Sequence, residues 1–445
     1  MAETSNIRKF FESFSWLAVD KLVSLGGAAV VGILLARHLG PSDFGFLSVA
    51  LALATFALSF SSLGIQGLIT RDLSYSGVGE GEVLGSTAAL SAIAASVVVT
   101  AAGAYYLWAQ ASLPSAAILV LILICSVILR RFEYLEVWFV FKNKTASYAK
   151  PRILITALFV AARLYMIVAG FGLDSFIITY IVEYCLIGVR ALGTYWIQKQ
   201  KDVRWAFNRQ YSKDLLARSW PVFLSGILQY IYLKVDILML TYFRSLDETG
   251  IYAAAARLSE IWYFLPVLVM TAAFPRILEL KRSDAAIYSL RLQNLLDVLS
   301  GSAMLLAIAV ALTASWFIPL LFGEAYQAAA LILAIHIWAS VFVFMRAVLS
   351  KWLIAEELYI FSLVTHALGA AINVGLNLVL IPLYGGLGAA VATLLGYATA
   401  GYISLWVSPK TRPMAVMMTK ALAWPMRSKQ AFEFAKQLGA SRLKR

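Results

Sequence analysis

Residues 35 to 53 read LARHLGPSDFGFLSVALAL, and residues 240 to 258 read LTYFRSLDETGIYAAAARL. Each stretch joins the end of one apolar run to the start of the next through a short polar turn. Asp43 matches Glu248, Gly45 matches Gly250 and Arg71 matches Arg276, all at a constant offset of 205 residues, close to half of the 445-residue chain. A membrane-crossing helix needs roughly 20 mostly apolar residues. Runs of that kind lie at 16–37, 44–63, 83–108, 113–130, 151–170 and 174–197, and again at 219–243, 250–275, 293–318, 326–350, 358–382 and 384–407. Six crossings fit in each half. Because six is even, both halves begin on the same side, which predicts parallel repeats about an axis along the membrane normal. The expected fold is therefore an all-α polytopic membrane protein, with about twelve transmembrane helices in two parallel six-helix lobes around a central cavity. Its expected parts are an N-terminal lobe at 1–197, a basic cytoplasmic linker at 198–218, a C-terminal lobe at 219–407 and a basic cytoplasmic tail at 408–445.

Charge gives the orientation. With the N-terminus inside, 29 of the 37 Lys and Arg residues fall in inner loops, 2 (Arg37 and Arg244) in outer loops and 6 in spans. This is the positive-inside pattern, with both termini cytoplasmic. The net charge of +13 is spread over separate loops and a tail instead of one soluble face, which argues against a nucleic-acid partner. A composition of 61% hydrophobic and 14% charged residues leaves no room for an ordinary soluble domain. The first apolar run lacks a small-residue cleavage pattern and is followed by eleven more, so no signal peptide is expected. Cys125 and Cys185 both lie in spans and read as packing residues, not as a disulfide or a metal site. The segments 130–150 and 198–218 mix aromatic residues with cations, as helices at a lipid interface do. The tail from Pro409 carries nine Lys or Arg against the single Glu433, a pattern that draws a segment to anionic lipid.

Ten charges sit inside the predicted spans, where each costs several kcal/mol, roughly 2.5 to 3.5 on the insertion scale, unless it meets a partner or a watery cavity. The anions are Asp20, Glu183, Asp236 and Glu260, and the cations are Lys21, Arg163, Arg190, Lys234, Arg257 and Arg346. Lys21 and Arg346 lie near cytoplasmic ends, within snorkelling reach of the surface. Arg257 and Glu260 are three apart and share a helix face. Lys234 and Asp236 point in different directions, but the turn at 244–249 brings both to the depth of Arg257 and Glu260. Two readings of this group stand, a structural salt-bridge network or a lining of a transport path. Arg163 has no carboxylate at helical spacing on its own helix and is the leading candidate for binding an anion. Glu183 and Arg190, two turns apart on one face, suit either a polar stripe or a local structural role. The excess of two cations favours a negatively charged cargo, and guanidinium groups offer phosphate paired, planar donors. His336 and His366 read as interhelical hydrogen-bond donors before proton relays. Asn373 and Asn377, four apart on one helix face, read as bonding a neighbouring helix before a sugar.

The sequence has no Gly-rich phosphate loop ending in Lys and Ser or Thr, no HExxH and no DxD. No cofactor and no metal are expected. The outer loops are short, which weighs against a membrane enzyme of polysaccharide assembly with an external active site.

Three stretches taken in order carry a resemblance: the hairpin at 35–53; SWPVFLSGILQYIYLKVDILMLTYF at 219–243, continued by ETGIYAAAARLSEIWYFLPVLVM at 248–270; and INVGLNLVLIPLYGGLGAAVATLLGY at 372–397. Together they resemble the polysaccharide transporter family of the multidrug, oligosaccharidyl-lipid and polysaccharide exporter superfamily, over nearly all of residues 7–407. The resemblance implies a flippase of the O-antigen type in a bacterial inner membrane. Its implied substrate is an undecaprenyl-diphosphate-linked oligosaccharide, carried across by alternating access for O-antigen, capsule or exopolysaccharide synthesis. In that picture Arg163, Arg190, Lys234 and Arg257 bind the head group. Asp20, Glu183, Asp236 and Glu260 hold those cations or couple an ion. The implied partners are membrane lipids and other polysaccharide assembly proteins. A multidrug exporter of the same superfamily is the alternative, although a lining richer in cations suits cationic drugs poorly.

Overall fold

The computed structural model describes residues 2–75, 77–109, 116–199 and 203–423, all helices and connecting turns. Most of the basic tail, and residues 200–202 of the linker, lie outside the described residues. With no water to satisfy them, backbone polar groups inside a bilayer must pair within the chain, and a helix does this in each segment separately. Among the described residues, nine helices are long and apolar enough to cross a membrane. Two of these are double crossings and α4 adds one more, giving twelve. The chain falls into two compact units, Met1–Tyr230 and Ile231–Arg445.

The first unit opens with α1 (Ala2–Ser61), which bends at Gly40. A φ of 76° leaves the right-handed helical region, glycine takes it without steric cost, and Pro41 then restarts the helix. This is the hairpin quoted from the sequence. It is followed by α2 (Gln66–Tyr75), α3 (Glu80–Ala109) and α4 (Ala117–Arg130), the last continued by a 3₁₀ turn at Arg131–Leu135. Then come α5 (Glu136–Phe141), α6 (Thr145–Val168), α7 (Leu173–Gln198) and the start of α8 (Arg209–Phe243). α1 lies along α6, and α4 along α7. Gly188 makes the second contact possible, because a Cβ there would collide with the Leu129 carbonyl of α4. Small residues let membrane helices approach in this way. Ala50, Ala54 and Ala57 of α1 do the same against Leu123, Ile124 and Val127 of α4.

The segment 130–150 departs from the expected interfacial helix. Tyr134, Trp138, Phe139 and Tyr148 are buried, and pack with Ile65, Leu84, Tyr195 and Leu215 into an aromatic core at one end of the unit. The Trp138 indole donates to Glu80 (2.6 Å) and the Tyr134 hydroxyl to the Leu84 carbonyl (3.1 Å), so each polar handle is satisfied. Burying these rings gains more than leaving them at a lipid boundary once their polar tips have partners.

In the second unit, α8 runs on into α9 (Leu246–Glu260), capped by the Ser245 hydroxyl on the Glu248 N–H (3.2 Å). A 3₁₀ turn at Ile261–Tyr263 joins it to α10 (Phe264–Ser283), so the crossing predicted at 250–275 tightens just after Glu260 but continues across it. α11 (Ala285–Phe322) is followed by α12 (Ala329–His336) and α13 (Ala339–Ala355), which together make the crossing predicted at 326–350. α14 (Tyr359–Gly401) is kinked at Gly385, where φ is 55°, and thus crosses twice. The Gly386 N–H released by that kink is taken by Glu248 Oε1 (2.9 Å). The core of this unit joins Leu292, Leu296 and Leu299 of α11 to Phe344, Met345 and Leu349 of α13 and to Met414 and Met418 of α15 (Arg412–Leu422).

Candidate functional site

Apart from Lys21, which is exposed, the intramembrane charges of the first unit have protein partners. Arg163 on α6 is only 5% exposed. Its Nη2 donates to Glu183 on α7 (2.6 Å), its Nε donates to the Thr179 hydroxyl (3.0 Å), and its guanidinium lies over the Tyr180 ring (3.7 Å). One turn further along α7, Tyr184 stacks under Arg130 (3.8 Å), which pairs with Glu133 (3.0 Å). Arg152 is the hub below, reaching Asp20 (3.0 Å), Glu133 (3.2 Å) and Glu136 (3.5 Å). Arg190 donates Nη1 to the Tyr148 carbonyl (2.6 Å) and stacks on the Tyr148 ring (4.1 Å). Its Nε and Nη2 are buried without a protein partner.

Electrostatics separates the two glutamates of this hub. Burial pushes the Glu133 carboxyl up, but Arg130 and Arg152 together outweigh it and hold the group below the ordinary glutamate range. For Glu136 burial prevails, and Arg152 offsets only part of it, so that carboxyl is raised. Arg131, buried in the 3₁₀ turn and helped only weakly by Glu133, is pushed down to about 10 by desolvation.

In the second unit, Lys234 and Asp236 belong to separate clusters. Lys234 on α8 donates to both carboxylate oxygens of Glu260 on α9 (2.8 and 2.7 Å), as the hairpin geometry predicts. Asp236, two residues on and facing elsewhere, is fully buried. It accepts from Tyr252, from Thr393 (3.0 Å) and from the Ile237 N–H (2.8 Å). Asn373 donates to Thr393 (3.4 Å) and Asn377 donates to Asn373 (3.2 Å), which leaves the Asn377 Oδ1 buried without a partner. Arg257 is half-buried on α9.

The structure changes the expectation for Arg346. It does not snorkel, but is 8% exposed on α13, donating to Thr365 (2.7 Å), the Ala400 carbonyl (2.8 Å) and Ser362 (3.3 Å). Its Nη2 also meets His366 Nε2 (2.7 Å), while His366 Nδ1 meets the Tyr232 hydroxyl (2.9 Å). A guanidinium can only donate, so Nε2 must accept and the imidazole proton sits on Nδ1. Lys21 is exposed, as expected. Glu183 and Arg190 share a helix face yet turn to different partners, Arg163 and Tyr148. Sequence reasoning missed the cluster of Arg130, Glu133, Glu136 and Arg152, since the inner-loop count takes in Arg130 and Arg152 only as orienting charges. The Arg130 and Glu133 pair at i, i+3, followed by Glu136 three further on, was the available signal.

An all-helical chain of twelve crossings, with charges stored at membrane depth, has the fold of membrane transporters of the flippase and exporter kind. It is similar to the lipid II flippase MurJ in an inward closed conformation (TM-score 0.68, 13% identity, 96% of this chain and 99% of that one). It is also similar to an inward-facing multidrug resistance MATE family transporter of the MOP superfamily (TM-score 0.60, 15% identity, 95% and 99%). At these identities the likeness shows the fold alone. The family is shown by sequence: the model described as "Polysaccharide biosynthesis protein" matches residues 34–331, about two thirds of the chain, and the chain belongs to that family. A curated relative, "Probable flippase AglR" of Haloferax volcanii, is 24% identical over 255 residues, 56% of this chain and 52% of the relative. The chain thus matches about half the length of that protein.

Proposed function

We propose that this protein is a flippase for lipid-linked oligosaccharide. It moves an undecaprenyl-diphosphate-linked repeat unit across a bacterial inner membrane by alternating access, for assembly of a surface polysaccharide, with both termini in the cytoplasm. Its working parts in this reading are the lobes 1–197 and 219–407, the basic linker 198–218 and the basic tail 408–445. Family membership and the flippase relative support the reading.

The observation that carries it is the Arg190 guanidinium. Stacking and one hydrogen bond fix its plane, while the Nε and Nη2 edge, the pair of parallel donors that fits a phosphate, has no protein partner. A diphosphate bound at that edge would complete its hydrogen bonding. Arg163 and Lys234 are held in reserve by Glu183 and Glu260, at 2.6 and 2.7 Å. A head group that draws either cation away frees a carboxylate to take a proton or a metal cation, so cargo and coupling ion exchange at one place. Arg257 adds a cation on α9 within the second unit, and Asp20 keeps Arg152 in place in the first. Asp236, ringed by the oxygens of Thr393 and Tyr252, is the coupling carboxylate of the second unit.

Reconstituted protein with a labelled lipid-linked oligosaccharide, with and without a proton or sodium gradient, tests the reading. Arg190→Ala should abolish flipping in correctly inserted protein. Arg190→Lys should keep a fraction, because charge persists while paired donation is lost. Undiminished flipping by Arg190→Ala removes the residue from the mechanism. Gradient-driven export of cationic dyes with no oligosaccharide flipping would establish the multidrug-exporter alternative, which the MATE-like fold keeps in view.

A further inference from the structure

The first half of α8 carries an exposed stripe that neither the ion pairs nor the proposed cargo uses. Arg209, Lys213, Leu216, Ala217, Trp220 and Leu224 are all exposed, and at 100° per residue they fall within about 100° of one another on the helix surface. The stripe is ordered along the axis, with cations in the first two turns and apolar side chains after them. Trp220, half exposed, lies about one turn past Leu216, where the apolar part begins. α8 has 35 residues, more than a bilayer core requires, so its charged first turns lie beyond the apolar layer. The nearby countercharges are already engaged or turned aside. Arg218 is committed to Asp72 through two hydrogen bonds (3.0 and 2.7 Å), and Asp214 sits on the adjoining face, where it accepts from Gln210 (3.1 Å).

We propose that Arg209 and Lys213, in register with Trp220, form a binding face for the head groups of anionic phospholipid in the adjacent leaflet. Positive side chains at the start of the stripe, followed by Leu216, Ala217, Trp220 and Leu224, match the order of phosphate and then glycerol and acyl chain. Asp72, which is 3% exposed, anchors the backbone beneath this face by holding Arg218, and the Tyr211 hydroxyl also donates to it (3.0 Å). The cations are therefore displayed from a fixed helix. The inference rests on α8 crossing a membrane, and is independent of the cargo.

The test uses the full chain in vesicles of equal parts phosphatidylcholine and phosphatidylglycerol, with lipid retention after extraction read by native mass spectrometry. The unaltered chain should retain phosphatidylglycerol in preference. Each basic residue near an anionic surface contributes about fivefold, so Arg209→Gln with Lys213→Gln should cut the preference roughly thirtyfold. Arg209→Lys with Lys213→Arg should keep it. Quenching by brominated phosphatidylglycerol should exceed quenching by brominated phosphatidylcholine, with the difference lost in Trp220→Phe. Equal retention by the glutamine pair and the unaltered chain would overturn the proposal. Should the glutamine pair fail to fold, raising salt from about 0.1 M to about 1 M shortens the screening length from about 10 to about 3 Å. A preference in the unaltered chain that survives that change would also overturn it.

Discussion

Removing one side of the Arg163 and Glu183 pair is the sharpest test of how this protein stores charge in the membrane. The side chains are 6% and 12% exposed and meet at 2.6 Å, with Tyr180 stacked on the guanidinium and Thr179 on its Nε. Breaking a buried pair from one side costs about 3 to 5 kcal/mol, because the remaining charge keeps its desolvation penalty. Arg130 lies close enough to act on Glu183, so Arg163→Ala should fall near the lower end, about 3 kcal/mol. For a unit of this size, about 3 kcal/mol corresponds to a fall in Tm of roughly 6 to 12 °C. Glu183→Gln should cost a similar amount, since it strands the cation. Arg163→Gln combined with Glu183→Gln should regain most of the loss, giving a strong coupling in a double-mutant cycle. Melting of the purified protein, followed by tryptophan fluorescence, gives the four values needed. Single variants within about 2 °C of the unaltered protein would refute the argument that burial makes this pair costly to break. Flipping by the double glutamine variant adds the functional half of the test. A stable but inactive double variant assigns Arg163 to the cargo, and a stable, active one leaves it a structural tie.

Three further outcomes are expected. Asp236→Asn should keep flipping but lose its response to an ion gradient, and an unchanged gradient response would remove Asp236 from coupling. The two hub glutamates should respond to pH in opposite senses. The depressed Glu133 stabilises the fold above the ordinary glutamate value and loses that contribution as pH falls through its lower folded value, so Glu133→Gln should destabilise at neutral pH and converge with the unaltered protein in acid. The raised Glu136 contributes below the ordinary value and loses this as pH rises through its folded value, so Glu136→Gln should raise Tm at neutral pH; Tm changes of the same sign for both would contradict the electrostatics. In a chain lacking its two cysteines, new cysteines at Ser42, Ser245 and Glu324 should label from outside and one at Gln210 only from inside. Gln210 is exposed, whereas Ser212 is buried and would be silent on either side. Outside labelling at Gln210 would reverse the orientation.

Much of the fold was legible because a bilayer allows so few backbone solutions. An apolar run of spanning length must be a helix, and the turns at Gly40–Pro41 and Ser245 carry their own local signals for bending and capping. Their offset of 205 residues divided the crossings six and six before any coordinates. Local spacing also placed Lys234 within reach of Glu260 across a six-residue turn, whereas Asn377 and Asn373, expected to bond a neighbouring helix, bond each other.

By itself, then, the sequence determined the helical class, the number of crossings and the identity of the charges that would need help inside the membrane. Tertiary structure alone decided who helps them. Arg152 finds Asp20 from 132 residues away, Arg218 finds Asp72 from 146, and Arg346, assigned by sequence to the surface, is buried against His366 and the Ala400 carbonyl. The same holds for Trp138 and Tyr148, whose aromatic and basic neighbourhood read as a lipid interface until packing placed them in a core. Helix formation is settled within one segment by its own hydrogen bonds, whereas a buried charge is settled by whichever side chains other helices bring within about 3 Å, and local spacing along one helix carries no record of that choice.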